Sequence, residues 1–279
     1  MSSAIGSGPS ARPPMLRAFA RPRFLALACI AVLAASGWTY LGLLLAGQES
    51  HGIWRALCQP TYSVSGVPSV AGFALTFAMW CAMTLAMMLP TAAPMIATYA
   101  DLTEAAAAKN EPTASPLVLT AGYIAVWLST AIVLTALQGL LARLGALDVR
   151  MGIADPFISG AMFLAAGAYQ FTGAKRACLT HCQHPFRFFF ANWTSDPRAI
   201  FRIGLSQGLY CLGCCWAMMM LMIAVGAMNV VWMAILGAVM AVEKLGASMR
   251  FSRVVGVVLV AIGTFVIVET WITGWPRPG

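Results

Sequence analysis

From Phe24 to Ala46 the chain runs without a single charged side chain. Roughly 20 apolar residues let a helix cross the hydrocarbon of a bilayer, and this run exceeds the 7–15 of a signal-peptide core. Six further apolar stretches follow, at about 70–92, 117–141, 156–174, 203–225, 229–245 and 254–272. The pattern predicts an all-α fold, a polytopic transmembrane helical bundle of about seven helices spread over residues 24–273. Charged residues make up 9% of the chain, where a soluble domain carries about 25%. Residues 1–23, rich in Ser, Gly, Pro and Arg without periodicity, read as a disordered basic tail.

The net charge of +8 does not point to nucleic acid, because no basic patch is interleaved with aromatic residues. The basic residues sit between apolar segments instead, where they orient a membrane protein. With the N-terminus in the cytoplasm, thirteen of the 17 Lys and Arg fall inside and only Arg55, Arg143, Arg150 and Arg277 fall outside. That bias predicts an N-in, C-out topology in the inner membrane. The external 47–69 segment holds His51 and Cys58, a weak candidate capture point. The cytoplasmic 175–202 segment holds the aromatic run Phe186, Phe188, Phe189, Phe190 and Trp193, expected at the membrane interface.

Sulfur is concentrated in the fifth span. Tyr210 to Met222 reads YCLGCCWAMMMLM, and five of the 8 cysteines of the chain fall in two tight clusters. That distribution suits metal or redox chemistry better than a disulfide framework. On a helix, Cys211, Cys214, Cys215, Met218 and Met222 share an arc of roughly 100°, with Gln207 one turn earlier. Soft thiolate and thioether donors select Cu(I). Cys and Met are also adaptable packing residues, but three adjacent thiols favour a site. Gly204, Gly208 and Gly213 invite close approach by another helix.

Two more groups accompany it. In the second span Met79, Met83 and Met87 recur at i, i+4 and i+8, preceded by Thr76 and closed by Met88 and Pro90. Stacked thioethers of this kind can pass a cuprous ion between weak sites, although a methionine stripe alone is equally a packing face. At the cytoplasmic end of the fourth span stand Cys178, His181, Cys182 and His184. Zinc accepts Cys₂His₂, yet one short peptide seldom closes a tetrahedron, and Cu(I) with two or three ligands fits this spacing better. Lys175 and Arg176 nearby are expected to favour thiolates here. Glu243 and Lys244 are the charged pair closest to membrane depth, expected to snorkel or to pair across helices. Tyr169 and Gln170 are candidates to face the core, and Asn229 to cap the external turn.

The run from Gly208 through Met233, together with Glu243-Lys244, resembles a bacterial family of predicted metal-binding integral membrane proteins. So do Met79–Pro90, Gly122-Tyr123 with Val126-Trp127, and Ala166–Cys182, in the order that family has them. The match covers most of residues 70–250. Gly173-Ala174 stand where the family has Pro-Leu, away from the sulfur ligands. The resemblance implies metal binding in a bilayer and leaves the metal open. The expected function is therefore Cu(I) handling, as translocation or as delivery to a copper enzyme or copper chaperone. No phosphate-binding loop, nucleophile elbow or metalloprotease motif suggests an enzyme. The competing readings are a membrane thiol–disulfide oxidoreductase and a non-catalytic assembly subunit.

Overall fold

The computed structural model describes residues 22–48, 70–147, 155–226, 230–246 and 248–273. The basic tail through residue 21, His51, Cys58 and Asn229 lie outside the described residues. The described chain is all-helical. Helix α1 spans Pro22–Gln48, and α2 (Val70–Met83) passes through a π-helical turn at Thr84–Met88 into α3 (Leu89–Ala107). Then come α4 (Pro116–Arg143), α5 (Pro156–Tyr169), the short α6 (Gly173–Gln183) and α7 (Pro185–Ala191). The chain closes with α8 (Pro197–Val225), α9 (Val230–Lys244) and α10 (Met249–Thr273). Four described helices are long and apolar enough to cross a membrane: Gly72–Ala107, Pro116–Arg143, Pro197–Val225 and Met249–Thr273. Leu27–Tyr40 and Pro156–Tyr169 are apolar but shorter.

Helix boundaries follow local chemistry. Asp196 caps α8 by accepting from the amides of Arg198 and Ala199, with Pro197 at the first helical position, where no N–H is needed. Gly226, at φ 95°, ends α8 in a backbone conformation that a side chain resists. The fourth apolar stretch is shorter than the 156–174 its sequence suggests. Its helix stops at Tyr169, and the Thr172 side chain caps a new helix by accepting from Lys175 N at 3.2 Å. The second stretch is longer, because the helix survives Pro90 and Pro94 and runs to Ala107. Proline leaves the carbonyl four residues back without its helical partner. For Pro90 that group is Ala86 O, which accepts instead from Trp38 Nε1 of α1 at 3.0 Å.

Small residues set the helix pairs. Helices α4 and α8 run parallel, with Gly122 against Phe201, Gly204 and Leu205, and Gly208 against Val126 and Tyr123. Helices α5 and α10 run antiparallel, with Gly160 facing Gly263 and Gly167 facing Gly256. Backbones approach this closely only where Cβ atoms are missing. A Cβ on Gly204 would drive into the carbonyl of Leu119. Gly204→Val is expected to lower stability by about 1–3 kcal/mol through overpacking. Thermal unfolding of the detergent-solubilised protein checks this, against Gly42→Ala, whose added methyl meets nothing within 4 Å.

Helix ends define the level of the functional residues. Tyr169 closes α5 and donates to Gly213 O, at the middle of α8, at 2.6 Å. Lys244 closes α9 and reaches Cys211 on the same stretch of α8. Gly256, early in α10, packs on Gln170. Helices α5 and α9 thus end at the level where α8 is half complete, while α3, α4 and α8 continue beyond. Helices α6 and α7 fill the remaining space, with Phe189 of α7 buried 5.3 Å from the Tyr99 ring and Phe186 and Phe190 exposed.

Candidate metal centre

The buried face of α8 carries Cys211, Cys214, Cys215, Met218 and Met222, each at most 3% exposed. Gln207 lies one turn earlier, equally buried, with its Nε2 lacking a partner. All described cysteines are free thiols. Cys214 and Cys215 both turn back on their own helix and donate to the carbonyl of Cys211, at 3.0 and 2.9 Å. Cys211 Sγ points the other way, 3.0 Å from Tyr123 Oη of α4 and 2.9 Å from Lys244 Nζ of α9. The Tyr123 hydroxyl donates in turn to Met88 O at 3.1 Å.

Methionine enters this cluster from the π-helical turn. One extra residue in that turn advances the register of everything after it. Leu89 N accordingly bonds Thr84 O, five residues back. Met79, Met83 and Met87 are all buried, but Met87 packs its methyl against Gly237 of α9. Met88 takes the inward position, its Sδ 3.9 Å from Cys215 Sγ and 3.5 Å from Lys244 Nζ. Met218 and Met222 continue along the buried face of α8 below the thiols.

Helix α6 brings the third group alongside. Cys178 lies against Gly213, where a Cβ would meet its sulfur at 2.7 Å, and Cys182 stands one turn further along α6, facing Cys214. The Cys182 thiol is held above the ordinary thiol range, first by the neighbouring Cys214 thiol and then by burial. Burial also raises the Cys178 thiol. The basic residues expected to favour thiolates here do not do so. Lys175 turns inward to Glu243 at 2.7 Å, and Arg176 is exposed. His181 stacks on Tyr210 at 3.9 Å and meets Phe188 edge-on at 4.9 Å, with Nε2 buried and without a partner. Burial lowers the His181 imidazole below its usual value and so favours the neutral form that can act as a ligand. His184 is exposed at the α6–α7 junction, where with Arg176, Thr180 and His181 it lines an open cleft of about 660 Å³.

Neither Glu243 nor Lys244 snorkels. Glu243 is 2% exposed and bonds Lys175 Nζ at 2.7 Å and Ser252 Oγ at 2.8 Å. Lys244 is 8% exposed, its ammonium donating to Cys211, Met88 and Thr91. Lys244, Tyr123 and Thr91 are members of the cluster that sequence spacing does not reveal. An ionisable residue at membrane depth is the one general signal for Lys244. Among the described residues no three His, Cys, Asp or Glu side chains already converge as a metal-holding group. The physical reason is visible. Two thiols are turned onto the Cys211 carbonyl, and an ammonium occupies the space between Cys211 and Met88.

Geometry and composition together define a helical protein with membrane-type spans and a buried sulfur-rich centre where five helices meet. Residues 77–266 match the family described as PpoB2, a copper chaperone. The chain belongs to that family, which ties it to copper. No curated protein and no solved structure matches it.

Proposed function

We propose that the protein is a multi-pass protein of the bacterial inner membrane, N-terminus inside, that binds Cu(I) and either translocates it or delivers it to a copper enzyme or soluble copper chaperone. The observation that carries this reading is that Cys211, Cys214 and Cys215 share one buried stretch of α8, with Met88 Sδ of the neighbouring helix 3.9 Å from Cys215 and Cys182 of α6 alongside. These are the soft donors that a low-coordinate monovalent copper ion prefers, set in a family tied to copper. Loading requires Cys214 and Cys215 to release the Cys211 carbonyl and turn inward. Met218, Met222, Met79, Met83 and Met87 supply secondary thioether contacts along the buried wall. Cys178, His181, Cys182 and His184 form the point of entry or exit, since the open cleft reaches His181 and the Cys182 thiol faces the central cluster. Zinc is the competing ion at this outer group.

In this reading the protein acts as a carrier. Thiol–disulfide exchange needs an exposed attacking thiol, whereas the three α8 cysteines are buried. Copper titration of the detergent-solubilised protein, before and after replacing Cys211, Cys214 and Cys215 by serine, tests the reading. Unchanged Cu(I) affinity in the triple variant overturns it.

A further inference from the structure

The ammonium of Lys244 donates to the Cys211 sulfur at 2.9 Å, the Thr91 hydroxyl at 3.1 Å and the Met88 thioether at 3.5 Å, with no carboxylate among these partners. The neighbouring carboxylate is already engaged, since Glu243 holds Lys175 and Ser252. Lys175, Glu243 and Lys244 therefore place one buried ammonium beside the thiols that no carboxylate of this group balances. Burying a charge without a counter-charge is costly, so this ammonium calls for an anion in the same pocket.

Metal binding creates one. When a cuprous ion takes two thiols, two S–H bonds break, two S–Cu bonds form and both protons leave to water. The complex that remains carries one negative charge. We propose that Lys244 is the specificity-determining residue of the centre, its ammonium neutralising that complex and so selecting a monovalent over a divalent ion. The inference rests on the copper reading above. A divalent ion in the same linear two-thiolate arrangement is already neutral, and beside Lys244 it would leave the pocket one charge positive. The ammonium contacts both Cys211 and Met88, so it need only withdraw slightly to admit the ion while its charge stays adjacent. Tyr123 and Thr91 then remain as neutral hydrogen-bonding partners.

Hg(II) is the discriminating probe, because it adopts the same linear two-sulfur geometry as Cu(I) with one more positive charge. The experiment uses the full chain in lipid nanodiscs, titrated with Cu(I) and with Hg(II) in competition with chromophoric chelators. Lys244→Met is expected to weaken Cu(I) binding on the order of 10–100-fold, with Hg(II) binding unchanged or tighter. Lys244→Arg is expected to keep the preference of the native protein. Parallel loss of both metals in Lys244→Met would reduce the residue to a structural role, and loss of neither would equally overturn the inference. Should Lys244→Met fail to fold, Lys244→Gln with the same two metals decides in the same way. A native protein that takes up no Cu(I) sinks the copper reading itself. A native protein that binds Cu(I), with an unaltered metal preference in the variants, sinks only the charge assignment.

Discussion

Lys175→Met is expected to destabilise the protein by about 3–5 kcal/mol, because it leaves Glu243 buried, ionised and without its cation. Lys175 is 1% exposed and Glu243 2%, so water cannot replace the lost partner. The pair joins three helices. Lys175 comes from α6, Glu243 from α9, and Ser252 of α10 donates the second bond to the same carboxylate at 2.8 Å. Gln183 reinforces the clamp by donating to Glu243 O at 2.6 Å. The double replacement Lys175→Met with Glu243→Leu removes both charges and is expected to recover most of the loss, the signature of a directly coupled pair. Thermal unfolding of the three variants in detergent measures it. The single variant should also loosen α6 from α8, and with it the approach of Cys182 to Cys214.

Replacing Cys211, Cys214 and Cys215 together by serine is expected to lower Cu(I) affinity by at least about 1,000-fold, or about 4 kcal/mol. Serine is nearly isosteric but presents a hard, protonated oxygen that a cuprous ion does not favour. The helix should tolerate the change, since the hydroxyls at 214 and 215 can donate to the carbonyl of residue 211 as the thiols do. Copper content per chain, measured by elemental analysis after chelator challenge, is expected to fall from about one to near zero. Cys29→Ser, at an exposed position of α1, should leave it unchanged.

The legibility of the centre depended on helix period. Cys211, Cys214, Cys215, Met218 and Met222 fall on one face because 100° steps put them there, and the structure buries that face. The same arithmetic misleads across residues 84–88, where the π-helical turn inserts a residue and exchanges Met87 for Met88 at the sulfur cluster. Pro90 is the sole sequence mark of that irregularity. The glycines of α8 read as approach points, but their partners, Leu119 and Gly122 on one side and Cys178 on the other, are fixed by tertiary packing alone. Lys244 stayed hidden for a different reason. A lysine at the end of an apolar span ordinarily reaches for the headgroups, and no local pattern says that it will turn inward toward a residue 33 positions away. The break between α5 and α6 was equally silent, since Thr172 is an unremarkable residue until it caps a helix.

Helix α5 has 14 residues, which gives it a length of about 21 Å against a hydrocarbon thickness of about 30 Å. Its deficit falls on the side where α6 and the thiols lie, because its other end, at Ser159, is level with Ala224 near the close of α8. In the proposed bilayer setting, lipid beside that sector dimples inward to keep the helix end solvated. Under the proposed function, an ion arriving from that face meets the sulfur atoms after a shallow descent, with the rest of the bilayer ahead of it. The two faces of the membrane would then be unequal partners in any exchange, one a doorstep and the other a long corridor.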